Sequence, residues 1–303
     1  MNIAYQFKDQ FSPGHFTLVD IEHPLKIYIG LDEQSHYALE FRGDFIPTRI
    51  KSSHSIGIRQ YTKDQFSSIT FYLSDPDMLD NFCVFCEDII NSTRGVSDCK
   101  GGYAVLINRF YSWKRMFQTK RSILNQHEIM GLIGELLFLK NFMFETYGID
   151  ISLQAWSGRE LTHKDFSLDS YWYEVKVMSV GKPAVKISSL EQLHSVNTGE
   201  LAIFSLEQMS PAYDGVSLNK LANTIINTLK SDESKDAFIR TLIDSGFSFD
   251  SAYDEFVYDV ISLDRYKVDA TFPKLTKSDV NEAISKVQYE ILISEIQAYK
   301  IEE

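Results

Sequence analysis

The chain has 303 residues, of which 44% are hydrophobic and 24% charged, with a net charge of −12 and three cysteines. This length allows one large domain or two ordinary ones, with apolar content enough for a real core. No run approaches the roughly 18 apolar residues of a membrane span, the acidic balance argues against a protein that coats nucleic acid non-specifically, and an odd cysteine count offers no disulfide framework.

The first residues lack the basic flank and apolar run of a signal peptide, so a reducing cytoplasm is the expected location. Residues 16–72 read mostly as short strands: Phe16–Asp20, Leu25–Gly30, Tyr37–Phe41, Ile56–Tyr61 and Ser67–Leu73, separated by Pro, Gly, Asp and Ser. Asp75-Pro76-Asp77 opens a helix to about Asn91, with Pro76 suited to its first turn. Residues 103–117 fit a strand or a short helix. A long helix is predicted from Ser122 to Phe144 on the apolar stripe of Ile129, Leu132, Ile133, Leu136 and Leu137. A strand over Ile151–Trp156, a hairpin over 163–178, a short helix over Ser189–Ser195 and a strand over Leu201–Leu206 follow. Residues 216–247 read as two helices, 255–262 and 266–272 as strands, and Val287–Ile293 as an edge or closing strand. That order fits an α/β sandwich. The expected division is a β-rich domain at 1–118, able to bind DNA or a partner, followed by an α/β domain at 119–303.

Charge is unevenly spread. Residues 1–121 hold 14 Lys or Arg against 14 Asp or Glu, so the whole acidic excess lies beyond them. Within 94–121, Arg94, Lys100, Arg109, Lys114, Arg115, Lys120 and Arg121 face only Asp98 and alternate with Tyr103, Phe110, Tyr111, Trp113 and Phe117. The mixture suits contact with a nucleic-acid backbone; a solvated basic helix face over an aromatic core would look the same.

The most informative stretch is Thr162–Met178. Asp169-Ser170 supplies the chemistry of a two-residue loop, which pairs 168 with 171, 167 with 172, 166 with 173 and Asp165 with Glu174. Opposed carboxylates roughly 5 Å apart at Cβ repel unless a cation lies between them, and hard oxygen ligands suit Mg²⁺ or Mn²⁺. Glu174 and Lys176 emerge side by side from one face of the strand. A solvated hairpin with a surface Glu–Lys pair would share this pattern. Glu135 adds support: it sits in the most apolar helix, beside Gly131 and Gly134, whose spacing suggests close backbone packing on that face. A second carboxylate-x-Lys, Glu233-Ser234-Lys235, lies in a polar run without an apolar strand around it. Cys83-x-x-Cys86 with Cys99 lacks a fourth zinc ligand nearby.

Gly131-Leu132-Ile133-Gly134-Glu135-Leu136, then Asp165, then Glu174-Val175-Lys176, resembles the PD-(D/E)XK nuclease superfamily. More narrowly, it resembles the bacterial "PD-(D/E)XK motif protein" group, formerly a domain of unknown function linked to restriction and phage-defence clusters. The likeness includes Lys186–Leu193 and Tyr289-Glu290-Ile291, and the specific motifs lie within 131–193. Lys164 departs from it, standing where proline usually precedes the first Asp. The resemblance implies a restriction-endonuclease-like α/β core, a mixed central sheet flanked by helices, here behind a β-rich N-terminal domain. It implies a DNA endonuclease using Mg²⁺ or Mn²⁺, with Asp165, Glu174 and the Val175 carbonyl as metal ligands and Glu135 reaching the metal through water or a second ion. Lys176 would orient or deprotonate the attacking water or stabilise the phosphorane, and Gln192 would contact the scissile phosphate or the lysine. Expected partners are DNA, other restriction or defence subunits and a second copy, since double-strand cleavage usually needs two sites. Two rival readings are a nuclease-fold subunit that only binds DNA or assembles a complex, and an interaction module whose β-rich half binds a protein.

Overall fold

In the computed structural model, residues 3, 7, 11–64, 66–117, 123–157 and 163–302 are described. Five strands come first: β1 (Phe16–Leu18), β2 (Lys26–Leu31), β3 (Tyr37–Gly43), β4 (Ile56–Lys63) and β5 (Phe66–Leu73). They pair antiparallel in the order β1-β2-β3-β5-β4. Alternation selects the core face. Ile27 pairs with Phe41 and Leu39 with Phe71, all four fully buried. Asp75 caps a 3₁₀ turn with Pro76 at its start, which leads into α1 (Leu79–Ser92). Asp98 caps α2 (Cys99–Trp113). Tyr103, Leu106, Phe110 and Trp113 are its buried stripe, and this helical spacing resolves the ambiguity over 103–117.

Asn125 caps α3 (Gln126–Phe138), with Glu128 reaching back to complete a capping box; the predicted start at Ser122 lies outside the described residues. The helix continues through a π-helical turn, Leu139–Met143, into α4 (Phe144–Tyr147). Gly148, at φ +77°, ends it, and the chain re-enters helix as α5 (Ile149–Ser157). This corrects the strand expected over Ile151–Trp156. Ser152, Leu153, Ala155 and Trp156 are buried while Ile151 is half exposed, a helical stripe that six residues are too few to separate from alternation.

The hairpin β6 (Phe166–Ser167) and β7 (Trp172–Ser179) has the register its turn chemistry predicts. Phe166 pairs with Tyr173 and Ser167 with Trp172, and the Leu168 N–H donates to the Tyr171 carbonyl at 2.8 Å. Then come β8 (Ala184–Ile187), a 3₁₀ turn at Leu190–Gln192, β9 (Gly199–Met209), α6 (Leu218–Thr228), α7 (Asp232–Asp244), β10 (Val257–Val268) and β11 (Tyr289–Leu292). β10 replaces the two strands expected at 255–262 and 266–272. A bulge between Val260 and Ser262 shifts register, and Asp264-Arg265, charged enough to read as a break, stays paired with Ile203 and Ala202 of β9.

The chain divides into two compact units, Met1–Ile123 with Ile226–Ser251, and Leu124–Ile225 with Ala252–Glu303; the boundary expected at 118/119 falls outside the described residues. In the first unit the rings of Phe85 and Phe110 pack against Phe71 of the sheet. Among the described residues of the basic, aromatic stretch 94–121, most aromatics pack into the core and several cations are paired. Tyr103, Phe110, Trp113 and Phe117 are buried, Arg109 is fully buried on Asp88 and Asp236, Arg94 pairs with Asp20, and Arg115 with Asp244. Acids distant in sequence match most of the described charge, which a local count misses; Lys120 and Arg121 lie outside the described residues. Cys83 and Cys86 are buried on α1, and burial pushes the Cys86 thiol well up, away from the thiolate a metal would need.

The second unit holds a four-stranded sheet in the order β10-β9-β7-β6, with β7 and β9 parallel and the other pairs antiparallel, and a two-stranded sheet β11-β8. It is the mixed sheet with flanking helices that the motif resemblance implies. No described helix is long and apolar enough to cross a membrane.

Candidate active site

β7 carries the centre of the site. Trp172, Glu174 and Lys176 share one face because strand side chains alternate, and in the parallel register Glu174 sits beside Leu201 and Lys176 beside Ile203. This face meets a cluster containing Trp172, Val185, Leu193, Leu201 and Ile203, so Glu174 is fully buried in apolar surroundings. Its Oε1 accepts from the Lys176 ammonium at 2.6 Å, whereas Oε2 is buried with no hydrogen-bond partner. Burial, then the charge of Asp165, push the Glu174 carboxyl up to about 8 against the pull of Lys176. Burial would lower the Lys176 ammonium, but Glu174 and Asp165 outweigh it and hold it above the ordinary lysine value. In this arrangement the Lys176 ammonium is held charged, as a hydrogen-bond donor to Glu174.

Val175 and Val177 occupy the other face of β7, under α3. A Cβ on Gly134 would lie 2.2 Å from Val177 Cγ2, while one on Gly131 would meet nothing within 4 Å. Only Gly134 therefore marks the close helix–sheet approach that the glycine pair suggested. Gly134→Ala is expected to destabilise by about 1–3 kcal/mol through overpacking, and Gly131→Ala to stabilise by about 0.5–1 kcal/mol through helix propensity. Urea denaturation of the two variants checks the opposite signs; equal shifts would refute the packing argument. Glu135 follows at the next position, where its Oε2 accepts from Trp156 Nε1 of α5 at 2.8 Å, and its charge acts on Lys176.

The β6–β7 ladder stops at Phe166–Tyr173, one pair short of Asp165 and Glu174. Asp165 instead turns its side chain onto β7, where Oδ2 accepts the Val175 N–H at 2.7 Å, and its charge is among those that raise Glu174. Gln192 lies in the Leu190–Gln192 turn. Its Oε1 accepts the Ser188 N–H at 2.7 Å, which leaves any phosphate contact to its amide nitrogen, and it is the Gln192 backbone carbonyl that takes a lysine, Lys164 at 2.7 Å. Burial lowers the Lys164 ammonium to about 8, with Glu174 acting in the opposite sense. The anchoring roles of Trp156 and Lys164 were not read from sequence. Neither has a local signal, because Trp156 meets Glu135 across 21 residues of chain and the carbonyls that hold Lys164 lie 27 to 30 residues away.

Among the described residues no three His, Cys, Asp or Glu side chains converge as a ready chelating group. The donor set nonetheless fits a hard cation. Glu174 presents a buried oxygen without a partner, Asp165 raises its pKa by charge, and an ammonium currently supplies the positive charge between strand and motif.

A mixed sheet packed by a glycine-tight helix, with Glu174 and Lys176 on β7 and Asp165 bonded to its backbone, is consistent with a PD-(D/E)XK-like α/β fold. A family model described as "Putative PD-(D/E)XK family member, (DUF4420)" matches residues 12–294. The chain belongs to that family. No curated protein and no solved structure matches it.

Proposed function

We propose that this chain hydrolyses phosphodiester bonds of DNA with a divalent cation, Mg²⁺ or Mn²⁺, as a component of a restriction or phage-defence system in the cytoplasm. The observation that carries the reading is the partnerless, fully buried Glu174 Oε2 beside Asp165 and Lys176. A stability-driven core would not retain an unsatisfied carboxylate oxygen next to a second carboxylate. Asp165, Glu174 and the Val175 carbonyl would hold the ion, with Glu135 fixed nearby by Trp156. When bound, the cation supplies Lewis-acid activation of water and charge stabilisation at phosphate. Lys176, held charged, stabilises the negative charge that develops on phosphorus oxygens. Gln192 would orient the phosphate through its amide nitrogen. Cutting both strands calls for a second copy of the site, hence a dimer on DNA.

The test is nicking of supercoiled plasmid in Mn²⁺ or Mg²⁺. Wild type should nick, and Asp165→Ala and Lys176→Ala should each fall by about 10²-fold or more. Equal nicking by all three proteins would sink the assigned site. A wild type inert on plasmid and on phage DNA, with or without methylation, would favour a nuclease-fold subunit that binds without cutting.

A further inference from the structure

Lys164 stands immediately before Asp165, where the related motif carries proline, and the chemistry above makes no use of it. The residue is 4% exposed. Its ammonium donates to three backbone carbonyls, Glu191 at 2.5 Å, Gln192 at 2.7 Å and His194 at 3.1 Å. These carbonyls lie at the end of the 3₁₀ turn Leu190–Gln192, where helical partners run out, and an ammonium has three donors to match them. The same Nζ sits 4.1 Å from the centroid of the Trp172 ring, a cation–π distance, and the Trp172 indole N–H donates to the Asn197 carbonyl at 3.0 Å. One side chain thus joins the motif segment, the start of β7 and the 190–197 segment.

The backbone around Lys164 needs such a hold. His163 adopts φ +55°, a left-handed conformation that is strained for a non-glycine residue. Asp165, on the other side, is pinned by its bond to the Val175 N–H.

We propose that Lys164 is a positioning residue: its ammonium clamps the segment bearing Asp165 to the turn bearing Gln192, and so sets the metal-binding carboxylate against the phosphate-facing amide. Proline at this position would stiffen φ locally but could donate no hydrogen bond. Here a tertiary clamp replaces that local stiffness. The consequence for cleavage rests on the nuclease reading; the clamp does not.

The decisive variant is Lys164→Met, which keeps the alkyl length and removes the donors, studied in the full chain by hydrogen exchange, Mn²⁺ calorimetry and plasmid nicking. Amides over 188–197 should exchange about tenfold faster or more, as loss of charge-assisted hydrogen bonds requires, while β9 keeps its protection. The Mn²⁺ Kd should rise severalfold, and kcat should fall with little change in KM. In Lys164→Met combined with Gln192→Ala, the loss in kcat should not exceed that of the more damaging single variant; multiplied losses would overturn the coupling to Gln192. Unchanged exchange and unchanged Mn²⁺ affinity overturn the clamp whether or not wild type cleaves. Faster exchange and weaker Mn²⁺ binding around an inert wild type keep the clamp and remove the nuclease reading. If Lys164→Met does not fold, Lys164→Arg replaces it. Its planar fork cannot reproduce the three-carbonyl geometry, and wild-type exchange over 188–197 in that variant likewise overturns the proposal.

Discussion

Glu174→Gln is expected to abolish cleavage, by about 10²–10³-fold or more, while leaving the metal-free protein at least as stable as wild type. The two effects share one cause. Glu174 is fully buried and its carboxyl is pushed up to about 8 by burial and by Asp165. A carboxyl raised on folding contributes stability that is complete below its unfolded value and is lost as pH rises through its folded value. In EDTA, wild type should therefore lose stability from this group as pH rises from about 4.5 to 8, a slope that Glu174→Gln lacks. A divalent ion binds the ionised form and should restore stability, more strongly as pH rises. Thermal melts of both proteins from pH 5 to 9, with EDTA and with Mn²⁺, decide it. Parallel pH profiles in EDTA would show that Glu174 ionises freely and is not the strained ligand described above.

Asp88→Ala should cost the protein about 3–5 kcal/mol, because it strands a buried charge. Asp88 is buried on α1. Its Oδ2 accepts from Arg109 Nε at 2.7 Å and Trp113 Nε1 at 2.8 Å, and its Oδ1 from Lys235 Nζ at 3.1 Å and Ser92 Oγ at 3.3 Å. Arg109 is itself fully buried, with one nitrogen already lacking a partner. Removing Asp88 leaves Arg109 with Asp236 and, at 3.8 Å, Asp232, both partly exposed, as its remaining anions. Chemical denaturation measures the loss; a change below about 1 kcal/mol, the scale of an exposed ion pair, would mean that the cluster is solvated and dispensable.

Local signals in the sequence carried far. The Asp169-Ser170 turn determines the hairpin register because loop length and residue type select it with no help from the rest of the chain. Asp75-Pro76 likewise marks a helix start through groups within the same turn. Ile151–Trp156 is ambiguous because a six-residue apolar run has no unique period, whereas Asp264-Arg265 stays in a strand because β10 keeps a regular antiparallel register with β9 from Ser262 to Val268. Arg109 looked like a surface charge because its partners, Asp88 and Asp236, are 21 and 127 residues away.

The same division holds at the candidate site. By itself the sequence brought the candidates into view: turn register and strand and helix periodicity pointed to Asp165, Glu174, Lys176 and Glu135 from local spacing, and the family resemblance added Gln192. It also contained the motif that led to the family. Only the tertiary structure decided that Glu174 is buried with an unpartnered oxygen, that Trp156 holds Glu135, and that Lys164 closes on the carbonyls of 191–194. Each of these depends on packing between elements distant along the chain, where burial sets the charge state of a carboxylate and neighbouring backbone sets where a lysine can go.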